Sequence, residues 1–343
     1  MSRGTAFVLG ATGQMGRPAV RALALDGWDV RAASRGGGRD DSWPEDVRAV
    51  RVDRDEEGAL SAALGDGCDM LVDMVAFGRD HARQLITLAD RIGSAVVISS
   101  GAVYADDRGR GFDTQDVPDG FPRYPVPILE SQPTVAPEDT TYSTRKAALE
   151  QELLASRLPT TLLRAGAVHG PHCRTPRELF FVKRALDGRK VRVLAFGGKS
   201  RFHPVHVSNV AEMIRLAALR PGSRVLNSGD PTAPSVAGIA AAIDRIMGLE
   251  TETVLVDGPA PVGDVGMSPW AIEHPMVFDM SAAERELGYR AVTGYEESLP
   301  ATVDWLVEEL RGREWTDAFA KMAQRDGDLF KYAEEDAWLA QRK

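Results

Sequence analysis

The chain has 343 residues, 43% hydrophobic and 27% charged, with a net charge of −9. That length admits one large α/β domain with an added lobe, or two domains, and the composition is ordinary for a globular protein with a large core. An acidic balance without a basic block argues against a general nucleic-acid or membrane-surface binder. No apolar run reaches the roughly 18 residues of a membrane span. The run Ala6-Phe7-Val8-Leu9 reads as a first strand rather than a leader. Cys68 and Cys173 stand far apart. They make neither a disulfide framework nor a zinc pattern, which fits a reducing cytoplasm.

The first half alternates between two periodicities. Strands are expected at 6–10, 29–33, 47–52, 70–75, 95–99 and 161–164. Helices are expected at 14–26, 56–64, 82–92 and 141–156. Strands alternating with helices imply βαβ units and a buried parallel sheet. Such strands read as continuous apolar runs, as Ala95-Val96-Val97-Ile98 does. Residues 105–138 are loop-like, with six prolines. A loop that long inside a compact domain is usually functional. Beyond residue 170 the pattern is broken by further prolines, and 314–343 reads as one or two amphipathic terminal helices.

Gly10-Ala11-Thr12-Gly13-Gln14-Met15-Gly16 follows the first strand and opens the first helix. That is the setting of a dinucleotide turn. The first glycine permits the tight turn, the second lets backbone approach a pyrophosphate, and the third lets helix and strand pack. The helix N-terminus adds free N–H groups and a favourable dipole for the anion. After the second strand an acid would bond the ribose 2′-OH of NAD, whereas an Arg accommodates the 2′-phosphate of NADP. The chain has Ser34-Arg35 there, so NADP(H) is expected over NAD(H). Asp53, after the third strand, could accept from the adenine amino group or cap a helix.

Tyr142 and Lys146 lie at i and i+4 on an expected helix, hence on one face. A nearby ammonium favours the phenolate and lowers a tyrosine pKa. Upstream, Ser99-Ser100-Gly101-Ala102-Val103-Tyr104 follows the fifth strand. Ligand sites in such folds lie at the carboxyl ends of strands. A hydroxyl there can hold a carbonyl beside the tyrosine.

Together these segments resemble the short-chain dehydrogenase/reductase superfamily, in its extended or atypical branch of NAD(P)-dependent epimerase/dehydratase-like proteins. Further segments agree: Leu163-Arg164-Ala165-Gly166-Ala167-Val168-His169-Gly170-Pro171, Pro204-Val205-His206-Val207-Ser208-Asn209, Asn227-Ser228-Gly229-Asp230 and Phe278-Asp279-Met280-Ser281. The resemblance spans residues 5 to about 310. It implies a Rossmann-type doubly wound parallel sheet with a smaller C-terminal substrate-binding lobe. The expected division is a cofactor domain over 1–170, with 205–230 returning to it, and a lobe from 171–204 and 231–343. The resemblance makes Tyr142 the general acid/base, Lys146 the group that lowers its pKa and holds the nicotinamide ribose, and Ser100 the group that orients the reacting oxygen. Cofactor contacts are expected from Gly10, Thr12, Gly13, Gln14, Met15, Gly16, Ser34, Arg35, Asp53, Val75, Ala76, Phe77, Tyr142, Lys146, Ala165, Ala167 and Val168. Substrate contacts are expected from Gly101, Ala102, His169, Arg201 and Trp270.

Departures from the family pattern narrow the reaction. Dehydratases carry Asp-Glu just after the catalytic hydroxyl residue, where this chain has Gly101-Ala102. Epimerases have an acid after the second strand, where this chain has Ser34-Arg35. Arg201 stands one residue off the usual spacing for gripping a nucleotide diphosphate, and His169 replaces the commoner tyrosine. His169, His172 and Cys173 share a turn-rich loop with no evident fourth ligand, so no metal is expected. The reading is a cytoplasmic, homodimeric NADP(H)-dependent oxidoreductase acting on a carbonyl or alcohol of a small metabolite. The alternative is a sugar or nucleotide-sugar epimerase working by transient oxidation. A dinucleotide sensor or RNA-associated protein is a third reading, against which the net charge of −9 and the complete Ser, Tyr and Lys set both count.

Overall fold

The computed structural model describes residues 3–115 and 117–342. In chain order they begin with β1 (Thr5–Leu9), α1 (Gly16–Leu25), β2 (Asp29–Ser34), β3 (Arg48–Arg51), α2 (Ala59–Leu64), β4 (Cys68–Asp73), α3 (Arg79–Thr87) and β5 (Ile92–Ser100). There follow α4 (Tyr142–Leu154), β6 (Thr160–Ala165), β7 (Ala167–His169), α5 (Leu179–Leu186), β8 (Val191–Leu194), β9 (Pro204–His206), α6 (Val207–Leu219) and β10 (Arg224–Ser228). The remainder holds α7 (Val236–Met247), β11 (Glu252–Leu255), α8 (Ser281–Leu287), α9 (Tyr295–Glu309), α10 (Trp315–Ala318), α11 (Ala320–Asp326) and α12 (Tyr332–Ala340). Among the described residues no helix is long and apolar enough to cross a membrane.

The chain divides into two compact units. The first comprises Met1–Gly166, Val207–Gly229 and Phe278–Val292. Its sheet has seven strands in the order β10-β6-β5-β4-β1-β2-β3. All neighbours are parallel. The apolar runs of β1, β4, β5 and β6 are buried on both faces, as a parallel sheet covered by helices requires. Strand order reverses at β1, which pairs with β2 on one side and β4 on the other. Leu9 lies level with both Ala33 and Asp73, so the segments after β1, β2 and β4 leave the sheet at one edge, the ligand side of such folds.

Some boundaries differ from the sequence reading for local reasons. The helix expected from 56 begins at Ala59 because Gly58 sits at φ 73, outside the helical region. The helix expected to 92 stops at Thr87, and a 3-10 turn at Ala89–Arg91 leads straight into β5. The segment 278–292, expected in the second lobe, belongs to the first unit. Phe278 is buried beside Tyr104 with ring centroids 5.9 Å apart, and Ala283 and Leu287 of α8 are fully buried.

The long loop 105–138 is organised around one carboxylate. Asp106 is buried and accepts from the backbone N–H groups of Arg108, Arg110 and Arg123 at 2.9, 3.0 and 2.9 Å, and from Arg110 Nε at 2.8 Å. Burial works against its charge, but the Arg110 guanidinium and those N–H groups hold its pKa down to about 2.

The second unit comprises Ala167–His206, Asp230–Val277 and Thr293–Lys343. It holds two small parallel pairs, β7 with β9 and β8 with β11. Its core joins Leu179 and Phe181 of α5, Ile239 and Ile243 of α7, Trp270, and Tyr295, Leu299 and Leu306 of α9. The tail, read as one or two helices, forms three short ones, and Trp315, Phe319 and Met322 enter that core.

Candidate active site

The glycine turn sits where β1 ends. Gly10 has φ 82, a conformation that disfavours any side chain. Its N–H and that of Ala11 both bond the Ala33 carbonyl, at 3.0 and 3.1 Å. A Cβ on Gly13 would come 3.1 Å from the Gly10 carbonyl oxygen. A Cβ on Gly16 would come 2.5 Å from the Ala11 carbonyl oxygen and collide with that of Gly10. Met15 at the N-cap of α1 gives no side-chain bond to the helix. The turn thus keeps backbone close and unobstructed, as a pyrophosphate cradle requires. Thr12, Gln14 and Met15 are partly exposed around it.

The flanking segments fit a dinucleotide. Ser34 closes a turn by accepting from Gly37 N–H at 3.1 Å. Arg35 is exposed, and among the described residues none bonds its side chain. Asp53 accepts from Asp55 N–H at 3.2 Å in a local turn, and the N-cap of α2 is Gly58, so Asp53 does not cap that helix. After β4, Val75 is 44% exposed and Phe77 47%, while Ala76 is buried. Exposed apolar side chains beside the turn, with Val75 against Gly10, give a flat ring a surface to cover.

Tyr142 is the first residue of α4, after a Thr141 cap. Its ring stands edge-on to Phe77, centroids 5.5 Å apart. Tyr142 is 42% exposed. Burial raises the pKa above its ordinary value, and the influence of the Ser100 hydroxyl pulls it partly back. Lys146, one turn on, is buried and donates to the carbonyls of Ala76 at 2.7 Å and Ile98 at 2.8 Å. Its nitrogen lies 6.0 Å from the Tyr142 ring centroid. The sequence reading expects the ammonium to lower the tyrosine pKa, but the shift here is upward, with desolvation its largest cause and Lys146 not among its causes. The lysine carries its own desolvation cost: burial lowers its pKa to about 8, against the opposing charges of Asp73 and Glu150. Ser100 is the last residue of β5 and lies level with Ala165 of β6. Gly101 and Ala102 are buried and carry no group able to move a proton.

Two buried ion pairs behind these residues were not anticipated from sequence. Asp73, at the end of β4, pairs with Arg54 and accepts from Val75 N–H at 2.9 Å. Glu150, one turn beyond Lys146, bonds Arg164 at 2.7 Å and Ser99 at 2.5 Å. Carboxylates inside the apolar runs Met70-Leu71-Val72-Asp73 and Ala147-Ala148-Leu149-Glu150 are the signal that could have found them.

The remaining candidates lie in the second unit. Ala167 and Val168 are in β7, and Arg201 is exposed, its Nε bonding the Ala233 carbonyl at 2.9 Å. His169 is 1% exposed, with Nε2 2.7 Å from Asp230 Oδ2. Trp270 is 1% exposed and packs in that unit's core under the Arg177 guanidinium, 5.5 Å from its centroid. The sequence reading expects it at the substrate, but its packing is that of a core residue. Among the described residues no group of three or more His, Cys, Asp or Glu could hold a metal ion.

Comparison with known proteins gives one family. The model of the NAD-dependent epimerase/dehydratase family matches residues 6–229. No curated protein sequence matches the chain. Among solved structures it is similar to UDP-glucose 4-epimerase from Thermotoga maritima with UDP-glucose, at 19% identity and TM-score 0.66, covering 89% of this chain and 99% of that one. UDP-glucose 4-epimerase from Thermus thermophilus with NAD matches at 21% identity and TM-score 0.62, covering 88% and 99%. dTDP-glucose 4,6-dehydratase from Bacillus anthracis with NAD matches at 16% identity and TM-score 0.64, covering 92% and 99%. These likenesses carry the fold: a mostly parallel seven-stranded Rossmann-type sheet flanked by helices. With the glycine cradle intact and the family model spanning it, this chain belongs to the NAD-dependent epimerase/dehydratase family.

Proposed function

We propose that the protein transiently oxidises a secondary alcohol of a sugar-type substrate with bound NAD(P), and returns the hydride to the opposite face as an epimerase does. The observation that carries this reading is the packing of α4, which Tyr142 opens, against the 3-10 turn Gly101–Val103 that follows Ser100, at the carboxyl edge of the sheet that also presents the glycine turn. The family membership and the UDP-glucose held by a similar epimerase support the substrate class. A bound nicotinamide would supply hydride acceptance and return at the carbinol carbon. Ser100 orients the substrate oxygen. Tyr142 takes the alcohol proton as the carbonyl forms and gives it back when the carbonyl is reduced. Lys146 ties the Ala76 and Ile98 backbones together beneath the tyrosine. Elimination of water is not part of the proposal, because Gly101 and Ala102 offer no acid or base.

A second reading, net NADP(H)-dependent carbonyl reduction, is favoured by Arg35 alone. That side chain stands exposed after β2 where an acid would select NAD. One experiment separates the two. The purified protein is denatured and any released nucleotide identified, then the protein is titrated with NADH and NADPH by nicotinamide fluorescence, alongside Arg35→Ala. A retained nucleotide and no net NADPH consumption support the epimerase. Freely exchanging NADPH that weakens about tenfold or more in the variant, the loss of one charge-assisted phosphate contact, supports the reductase. Binding of neither nucleotide would reject both.

A further inference from the structure

The loop 105–138 delivers a charged group to the catalytic helix that no sequence motif announces. Its 3-10 turn, Phe112–Thr114, is tightly held. Thr114 Oγ1 donates to the carbonyls of Gly111 at 2.9 Å and Gly120 at 2.6 Å. Gly111 packs so closely that an added Cβ would meet Val135 at 2.8 Å. In the middle of that turn, Asp113 turns its carboxylate to the start of α4. Asp113 Oδ2 accepts from the Thr141 hydroxyl and from Ser143 N–H at 3.1 Å. The two partners flank Tyr142. A carboxylate at a helix N-terminus is favoured by the dipole and by the unpaired N–H groups of the first turn.

We propose that Asp113 is a positioning residue for Tyr142: its carboxylate clamps the first turn of α4 from both sides of the tyrosine and so fixes a negative charge against the residues that flank it. This rests on Tyr142 being the acid/base. The Ser100 hydroxyl and the Asp113 carboxylate bear on the Tyr142 titration in opposite directions, and the Lys146 ammonium lies 6.0 Å from the ring centroid. Ser100 favours the phenolate and Asp113 opposes it, so the loop sets how readily Tyr142 takes up and gives back its proton. Because Asp113 is exposed, solvent moderates its effect. Its replacement need not endanger the fold.

The test needs no substrate. Protein labelled with 13Cζ-tyrosine is titrated by NMR, with Tyr142→Phe identifying the resonance, in wild type, Asp113→Asn and Asp113→Ala. Hydrogen exchange of a peptide spanning the start of α4 is followed by mass spectrometry in parallel. Asp113→Asn keeps an acceptor for Ser143 N–H and loses the charge. The expected result is a Tyr142 titration displaced to lower pH by about half a unit in both variants, as for loss of one nearby, partly screened like charge. Exchange should remain near wild type in Asp113→Asn and rise several-fold in Asp113→Ala. Superimposable titrations overturn the proposal, and faster exchange with unmoved titrations overturns it too, leaving Asp113 a helix cap only. Because neither readout involves turnover or nucleotide, a failed epimerase assay would leave this result standing.

Discussion

Lys146 has 5% of its surface exposed, and both of its bonds go to backbone carbonyls. Among the described residues no carboxylate bonds it directly. Its folded pKa of about 8 lies below the ordinary 10.5. Below pH 8 both folded and unfolded chains hold the proton, and the full burial cost is present. Between 8 and 10.5 the unfolded chain binds more protons, so stability rises with pH. Relative to Lys146→Met, the wild type should gain on the order of 3 kcal/mol across that window, at about 1.4 kcal/mol per unit. Urea unfolding of both proteins at pH 7.5 and 10, roughly the ends of that window, would show it. Parallel curves at both pH values would refute it. The i, i+4 spacing revealed which residues share a helix face. It held nothing about where the ammonium turns, because that depends on the Ala76 and Ile98 carbonyls brought in by β4 and β5. Gly16 is the opposite case, legible as a motif and explained by contact. In Gly16→Ala the methyl would meet two carbonyl oxygens of its own turn. Overpacking against backbone costs about 1–3 kcal/mol. Nicotinamide fluorescence should show lost nucleotide binding even where the variant still melts cooperatively.

Elements are placed by pairs that sequence periodicity does not display. Asp73 closes β4 between Leu9 and Val97. Arg54, just beyond β3, reaches it and also bonds Gln84 of α3 at 2.9 Å, while Gln84 returns a bond to the Arg54 carbonyl at 2.8 Å. One guanidinium therefore fixes the β3–α2 connection and α3 against the central strand, directly beside Val75 and Phe77. Asp73→Asn leaves Arg54 buried without its counter-charge. Removing one partner of a buried pair costs about 3–5 kcal/mol, and denaturant unfolding should show a loss of that order. A loss below about 1 kcal/mol would place the pair among those that surface water already satisfies. The βαβ rhythm of the first 165 residues was readable because the strands are uninterrupted apolar runs. The seventh strand, β10, was seen only as a return near 205–230. Its Arg224-Val225-Leu226-Asn227-Ser228 has one fully buried apolar residue and ends in polar groups, because Asn227 is taken up in bonding the Ile128 and Asp279 carbonyls at 2.9 and 3.1 Å. The same polarity hid the order in loop 105–138, where a buried carboxylate rather than an apolar cluster does the organising.

At the scale of the whole chain, the second unit draws its core from three separated segments. That is why no single boundary was visible along the sequence. The tail 314–343 lies beyond the family resemblance, and the similar structures cover about nine-tenths of this chain. It is nonetheless part of the second unit's interior. Trp315, Phe319 and Met322 are 7%, 4% and 0% exposed. Glu335 is buried and bonds Arg184 of α5 together with Arg189 at 3.1 Å. Each large apolar side chain withdrawn from water contributes about 1.5–3 kcal/mol. Removing the three would therefore cost roughly 5–9 kcal/mol, comparable to the 5–15 kcal/mol that holds a typical domain folded. The loss of Glu335 would leave Arg184 buried and unpaired on top of that. A chain ending at Arg313 should thus lose the near-UV signal of the second unit and become sensitive to proteolysis between 167 and 206 and between 230 and 277. The first unit's sheet, which takes no residue from the tail, should keep its far-UV signature. A truncated chain that melts cooperatively within a few degrees of the full-length protein would show that the tail merely covers a core complete without it.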